Sequence, residues 1–134
     1  MNIVLLLTPK IELEYVYEYN TVRQIMEKMN RYRYSVLPVL KKNGEYLTTI
    51  SEGDILRFIC ECDFDKDIAE STKFKDIKLH RPYQALTIDT DLSSLLDVAT
   101  NQNFIPITDD RNVFIGIVKR KAIIQNYIKT KLDK

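Results

Sequence analysis

Two stretches of this chain, about seventy residues apart, carry the same pattern of apolar residues, prolines and turns. Pro38 lies inside one apolar run and Pro106 inside another, 106 − 38 = 68 positions later. At that offset the following positions match without a gap: Tyr46 with Phe114, Leu47 with Ile115, Ile50 with Val118, Ile55 with Ile123, Leu56 with Ile124, and Ile59 with Tyr127. Upstream the offset is 70, and the matches are Val16 with Leu86, Val22 with Leu92, Ile25 with Leu95, Met26 with Leu96, and Met29 with Ala99. A pattern kept over such a length indicates a duplicated structural unit.

Each copy predicts the order strand, helix, strand, strand, helix. In the first copy we expect strands at 15–19, 35–40 and 46–50, a hairpin turn at 41–44, and helices at 22–29 and 52–62. In the second copy we expect strands at 84–88, 105–108 and 113–119, a turn at 109–112, and helices at 92–102 and 120–131. Thr21 and Asp91 are the expected N-caps of the first helix in each copy, since side-chain oxygens at that position accept helix N–H groups.

The fold class that follows is α+β, with two pseudo-symmetric βαββα repeats. We assign residues 1–62 to repeat 1, 63–82 to a polar connector and 83–134 to repeat 2. A unit of about sixty residues with helices on one side of its sheet leaves the other face bare and is marginally stable alone. The repeats are therefore expected to pack sheet to sheet, with related clefts between them.

Composition excludes several classes of function. The net charge of +1 provides no field for nucleic acid, and the apolar segment 3–7 is too short to span a membrane. Cys60, Cys62 and His80 are too few for a zinc site, and we expect reduced thiols, no metal and a cytoplasmic protein. The sequence has no glycine-rich phosphate loop and no nucleophile with a histidine base, so we expect no enzyme and no catalytic residue.

The phrases Ser-Val-Leu-Pro-Val at 35–39, Asn-Gly at 43–44 and Thr-Ile-Ser-Glu-Gly-Asp at 49–54 resemble the tandem CBS domain pair, also called the Bateman module. Leu-Thr-Pro-Lys at 7–10 and Gly-Ile-Val-Lys-Arg-Lys at 116–121 are similar to stand-alone two-CBS proteins of Gram-positive bacteria. The resemblance implies a regulatory protein without chemistry of its own. Such a protein binds AMP, ADP, ATP or cyclic di-AMP in the cleft between its repeats.

The nucleotide signature of the family is Gly, two hydrophobic residues, Ser or Thr, two variable residues and Asp. In the first copy Ser51 and Asp54 match it, whereas Thr48 replaces the glycine. In the second copy Gly116 matches, but Lys119 and Ala122 replace the hydroxyl residue and the aspartate. The resemblance therefore implies that Asp54 holds the ribose hydroxyls, that Ser51 lies near a phosphate, and that the two sites are not equivalent.

Family architecture implies further ligand-binding residues. An adenine slot beside Asp54 would be formed by Ile11, Ser35, Val36 and Thr49. Phosphate groups would contact Arg33, Lys119, Arg120 and Lys121. We expect replacement of Lys119 and Arg120 by alanine to weaken nucleotide binding and to leave thermal stability nearly unchanged.

Several of these residues have a second interpretation. Ser51 and Asp54 also form a capping arrangement at a helix start, and the cluster 119–121 could simply be solvated. Basic and aromatic residues alternate over 30–34, where Arg33 could reach a phosphate or the tyrosines could pack at an oligomer surface. The implied protein is a homodimer that signals to an effector protein; the alternative is a purely structural dimerisation module whose clefts stay empty.

Overall fold

The computed structural model describes residues 3–132 as a mixed α+β fold with two sheets and five α-helices. In chain order the elements are β1 (Leu7–Pro9), β2 (Val16–Tyr17), α1 (Val22–Tyr32), β3 (Val36–Leu40), β4 (Tyr46–Ser51), α2 (Glu52–Glu61), α3 (Lys66–Ser71), β5 (Leu86–Thr87), α4 (Leu92–Ala99), β6 (Phe104–Thr108), β7 (Phe114–Lys119) and α5 (Arg120–Leu132). Short 3-10 turns lie at Ile3–Leu6, Lys10–Glu12 and Phe74–Asp76. The predicted α+β class is confirmed.

The chain forms two compact units. The first unit contains residues 14–82, and its sheet has the strand order β2-β3-β4. The second unit contains residues 3–13 and 83–132, and its sheet has the order β1-β7-β6-β5. In each sheet a parallel pair, β2 with β3 or β5 with β6, is followed by an antiparallel hairpin.

The two repeats also match in strand pairing and in the hydrogen bonds of their helix caps. Strands β3 and β6, strands β4 and β7, and the starts of α2 and α5 all differ by 68 positions, and both hairpins carry an irregularity at the equivalent point, Val39/Leu40 and Ile107/Thr108. Strands β2 and β5 differ by 70 positions. The caps Thr21 and Asp91, also 70 apart, accept the backbone N–H groups of Gln24 and Ser94.

Each unit has its own apolar core between its helices and its sheet. In the first unit this core contains Val16, Val22, Ile25, Met29, Leu37, Val39, Ile50, Ile55, Phe74 and Ile77. In the second it contains Ile3, Leu6, Leu95, Val98, Ala99, Ile105, Ile107, Val118 and Ile123. The residues matched by the sequence offsets, such as Ile25 with Leu95 and Ile50 with Val118, are equivalent core positions.

The leading segment of each repeat packs in the unit of the other repeat. Strand β1 precedes repeat 1, yet it pairs antiparallel with β7 of the second unit. The connector precedes repeat 2, yet its Phe74 and Ile77 are 4% and 8% exposed in the first core. The units therefore differ from the sequence assignment, which placed residues 1–13 with repeat 1 and gave the connector no core residues.

Several predicted elements are shorter than expected, among them the strand predicted for 84–88, which is only Leu86–Thr87. The helix predicted for 92–102 ends at Ala99, because the buried amide of Gln102 bonds instead to the backbone of Gln84 and Phe104. The strand predicted for 15–19 pairs with β3 only over Val16 and Tyr17. The helical turn expected in the connector is present as α3, capped by Asp65.

Candidate functional site

The corner where β4 meets α2 carries the two residues that match the nucleotide signature. Ser51 is the N-cap of α2, and its Oγ accepts a hydrogen bond from the backbone N–H of Asp54 at 3.2 Å. Asp54 Oδ2 in turn accepts the backbone N–H of Ser51 at 2.9 Å. The capping arrangement that was one interpretation of this pair is therefore present.

Asp54 is a buried carboxylate, with only 3% of its surface exposed. Its other oxygen, Oδ1, accepts the backbone N–H of His80 at 3.0 Å, although His80 lies 26 residues further along the chain. Among residues 3–132 no lysine or arginine forms a salt bridge with it. Two N–H donors and the positive end of the α2 dipole stabilise the charge. Because a carboxylate has about four acceptor positions, these bonds leave room for further donors.

Strand β3 brings Ser35 and Val36 to the same corner. The carbonyl of Ser35 accepts the backbone N–H of Glu52 at 2.9 Å, and Val36 is the register partner of Ser51. Ser35 is exposed and Val36 is half-buried. The structure thus gathers four of the predicted ligand-binding residues, and Asp54 is the only fully buried one among them.

Thr49 and Arg33 lie in the same unit but in different surroundings. Thr49 is paired with Pro38 inside the sheet and is 2% exposed. Arg33 follows α1 in the left-handed conformation, with φ of 61°, and is exposed. It lines a pocket of about 430 Å³ between α1 and α2, together with Met26, Met29, Asn30, Glu52, Ile55, Leu56 and Ile59. Arg33 therefore lines a surface formed by the two helices.

Thr48 occupies the position where the signature has glycine. Its Oγ1 is buried and has no hydrogen-bond partner in the described part of the chain. The equivalent residue, 68 positions later, is Gly116, where an added Cβ would lie 2.3 Å from the carbonyl oxygen of Thr8 in β1. Glycine is required there because β1 runs alongside β7. In the first unit β4 is the outermost strand of the sheet, so a threonine can be accommodated.

The equivalent corner of the second unit, where β7 meets α5, is basic. Lys119 ends β7, and Arg120 and Lys121 begin α5. Lys119 and Lys121 are exposed, whereas Arg120 is half-buried. The Nε of Arg120 donates to the carbonyl of Ala99, the last residue of α4, at 2.8 Å.

Arg120 therefore has a structural role that the sequence did not predict. A cation at a helix C-terminus satisfies an unpaired carbonyl and interacts favourably with the dipole of that helix. Because of this bond we expect alanine at Arg120 to lower stability, contrary to the expectation from the sequence. Nearly unchanged stability stays a prediction for Lys119 alone.

The predicted ligand-binding residues divide between the two units. The first unit holds Arg33, Ser35, Val36, Thr49, Ser51 and Asp54, and the second holds Ile11, Lys119, Arg120 and Lys121. Ile11 lies in the turn Lys10–Glu12 and is 93% exposed. The contact that sequence reasoning missed is the bond from His80 to Asp54. Because the donor is a backbone N–H group, no pattern of side chains in the sequence predicts this bond.

The family model for the CBS domain matches residues 7–61 and 74–129. The chain belongs to the CBS domain family. The two matches include the leading segments of both repeats, which are the segments that pack in the opposite units. No curated protein sequence matches the chain.

Solved structures of other CBS-domain proteins have the same fold. A CBS domain protein from Streptococcus pneumoniae is 21% identical, with a TM-score of 0.86 over 98% of this chain and 88% of its own. CbpB from Listeria monocytogenes, in complex with c-di-AMP, is 17% identical, with a TM-score of 0.83 over the whole of both chains. Another structure of CbpB in complex with c-di-AMP is 19% identical, with a TM-score of 0.88 over 99% of this chain and 88% of its own. These likenesses agree with the family resemblance seen in the sequence.

Two further observations concern residues 3–132. No group of three or more histidine, cysteine, aspartate or glutamate side chains is placed to hold a metal ion. None of the helices in this range is long and apolar enough to cross a membrane.

Proposed function

We propose that this CBS-domain protein binds an adenine nucleotide through the Ser51 and Asp54 corner and signals its presence to an effector protein. The observation that carries the proposal is the buried carboxylate of Asp54. It stands at the signature position, without a salt bridge to any described lysine or arginine, and has acceptor capacity beyond its two N–H bonds. The role is regulatory and not catalytic.

The chemistry of the corner suits a ribose. A carboxylate accepts strong, charge-assisted hydrogen bonds from hydroxyl donors, and Asp54 is held in one orientation by the capping box. Ser35 and Val36 at the same corner supply a polar backbone and an apolar side chain beside the sugar. An adenine is held by this combination of an apolar surface and a few polar groups.

The ligand is AMP, ADP, ATP or cyclic di-AMP, and cyclic di-AMP is the first to test because two similar CbpB structures contain it. Phosphate groups are expected to contact the exposed Lys119 and Lys121 at the start of α5. Backbone N–H groups at a helix start favour an anion, and the two lysines add positive charge. Arg120 contributes less, because its guanidinium already bonds to Ala99.

The protein is proposed to act as a homodimer. The pocket between α1 and α2 exposes Met26 and Leu56, and their equivalents Leu96 and Ile124 are exposed on α4 and α5. Single exposed apolar residues are ordinary, but the same apolar positions exposed on the helices of both units indicate a protein interface. A ligand that changes the packing of the repeats or of the dimer would change affinity for the effector, and the coupling would be reciprocal.

The proposal is tested by calorimetric titration of Asp54→Asn and of the matched control Glu52→Gln. Both variants remove one negative charge from the first turn of α2, but Glu52 is exposed and Asp54 is buried. We expect Asp54→Asn to weaken AMP binding about tenfold or more, the usual scale for a hydrogen bond to a charged group. Glu52→Gln should bind like the unchanged protein.

AMP and cyclic di-AMP should respond differently. AMP has two adjacent free ribose hydroxyls, whereas the cyclic phosphodiester leaves one on each ribose, so the loss at Asp54 should be larger for AMP. Equal affinity of Asp54→Asn and Glu52→Gln for every ligand that binds would refute the ribose role. No binding by any of AMP, ADP, ATP and cyclic di-AMP would favour a purely structural dimerisation module.

A further inference from the structure

The bond between His80 and Asp54 joins the proposed ligand-binding carboxylate to the link between the two units. On the N-terminal side of His80, Ile77 is buried in the core of the first unit. Leu79 is also partly buried against the first core. On the C-terminal side of His80, two residues are bonded within the second unit. The hydroxyl of Tyr83 donates to Asn103 at 2.6 Å, and the backbone N–H of Gln84 donates to Gln102 at 2.6 Å. The segment 80–82 is therefore the stretch of chain between two fixed points.

His80 reaches Asp54 through its backbone N–H, over 3.0 Å. Its side chain is exposed, whereas the side chain of the preceding Leu79 is partly buried against the first core. Asp54 is only 3% exposed, and the segment at His80 contributes to covering it. The carboxylate could accept further donors, but because the segment at His80 covers it, a ribose hydroxyl reaches Oδ1 only where this segment now lies.

We infer that the connector is a strap that competes with the ligand: nucleotide binding at Asp54 releases the N–H of His80 and frees segment 80–82. This inference rests on the proposed function, since it requires a ligand hydroxyl at Asp54. It adds a route by which binding is transmitted, because the freed segment is the covalent link to the second unit. Movement is limited to this segment, since Phe74, Ile77 and Leu79 remain packed in the first core.

The capping box is unaffected by the exchange. Ser51 donates its N–H to Oδ2, and His80 donates to Oδ1, so the two oxygens serve different partners. Releasing His80 leaves α2 capped and the corner folded. The His80 amide therefore shows whether the strap is released, and the Ser51 amide shows whether the site remains folded.

The direct test is amide hydrogen exchange of the full chain, read residue by residue by NMR, with and without saturating cyclic di-AMP or AMP. We expect the His80 amide to exchange about tenfold faster or more in the bound state, because a protected amide that loses its acceptor exchanges freely. The Ser51 amide should remain protected. Nucleotide binding with unchanged or increased protection of His80 would overturn the strap and leave the proposed function standing. Absence of binding would overturn both.

A second test removes the donor by His80→Pro, with Lys78→Pro as the matched control. The backbone N–H of Lys78 makes no hydrogen bond to the described residues, and Ile77 before it has the extended conformation (φ −99°, ψ 137°) that a following proline requires. We expect His80→Pro to bind nucleotide about tenfold more tightly than Lys78→Pro, since no charge-assisted bond has to be replaced. Equal or weaker binding by a folded His80→Pro variant would overturn the strap.

Discussion

At the residue scale, Arg120 differs from the other residues of its basic cluster because its side chain has a structural bond. Its guanidinium bonds to the last carbonyl of α4, whereas Lys119 and Lys121 on either side are exposed. Cations at the start of a helix are mildly unfavourable, and a phosphate bound there would offset that cost. For Arg120 the bond to Ala99 offsets that cost.

We predict that Arg120→Ala lowers the free energy of unfolding by about 1 kcal/mol, the usual worth of one intramolecular hydrogen bond. Lys119→Ala should leave stability within about 0.5 kcal/mol, because its side chain is exposed. Chemical denaturation of the two variants measures both values. Equal stability of the two variants would show that the bond to Ala99 contributes nothing. In a separate measurement, nucleotide titration of Lys119→Ala tests the phosphate contact alone.

The sequence predicted part of the site and missed part for physical reasons. The cap formed by Ser51 and Asp54 follows from the spacing of the two side chains, so their local bonding could be predicted from the sequence. Their part in ligand binding stays a prediction. The burial of Asp54 under the connector could not be predicted, because it depends on a backbone N–H group 26 residues away. The same holds for Arg120, whose acceptor is a carbonyl at the end of another helix.

At the scale of elements, the pairing of β1 with β7 explains why one signature glycine is kept and the other is lost. Gly116 has φ of 157° and lies against Leu7, Thr8 and Pro9. Within residues 3–132 no such strand runs along β4, where Thr48 occupies the equivalent position. The glycine of the second repeat therefore serves the sheet, whatever its part in ligand binding.

We predict that Gly116→Ala destabilises the protein by about 2 kcal/mol or more, since its Cβ would overlap the backbone of β1 at 2.3 Å and its backbone conformation is unfavourable for alanine. Gly53→Ala is the control. Its Cβ would meet the end of the flexible Arg57 side chain at 3.1 Å and Ser51 Oγ at an ordinary contact distance of 3.6 Å. Alanine is also the better helix former, so stability should change by less than about 1 kcal/mol. Urea denaturation of both variants tests the difference, and similar losses would contradict the packing argument.

The order of elements was predictable because the apolar spacing and the caps agree within each repeat. Thr21 and Asp91 cap their helices as expected, and the hairpin irregularities recur at matched positions. Strand ends and the end of α4 were not predictable, since they are set by contacts with distant residues such as Gln84. The position of β1 was hidden for the same reason: local patterns do not say which sheet a strand joins.

At the scale of the whole molecule, the exposed apolar residues of the helices concern assembly. Leu56 is 61% exposed and Ile124 50% exposed, at positions 68 apart. A side chain of this kind costs little on a monomer but contributes strongly when a second copy covers it. The homodimer is therefore tested at these two positions.

We predict that Leu56→Glu and Ile124→Glu shift the protein from dimer to monomer, because each buries a charge in an apolar contact. Tyr32→Glu is the control, since Tyr32 is similarly exposed, at 44%, but does not line the pocket of Met26 and Leu56. Analytical ultracentrifugation over a range of concentrations measures the dissociation constant. A monomeric unchanged protein would contradict the proposal, and dissociation by Tyr32→Glu alone would place the interface elsewhere.

The exchange of leading segments bears on how such a molecule can arise. A polypeptide with one repeat would carry a strand that no sheet of its own accepts, together with a sheet edge and a core left incomplete. Two such polypeptides could pair the strand and complete the sheet and the core by exchanging their N-terminal segments. When both repeats are encoded in one gene, the exchange takes place within a single chain. The connector between the repeats is then both an exchanged segment and the link between the two units, which makes it a suitable place for a signal to pass.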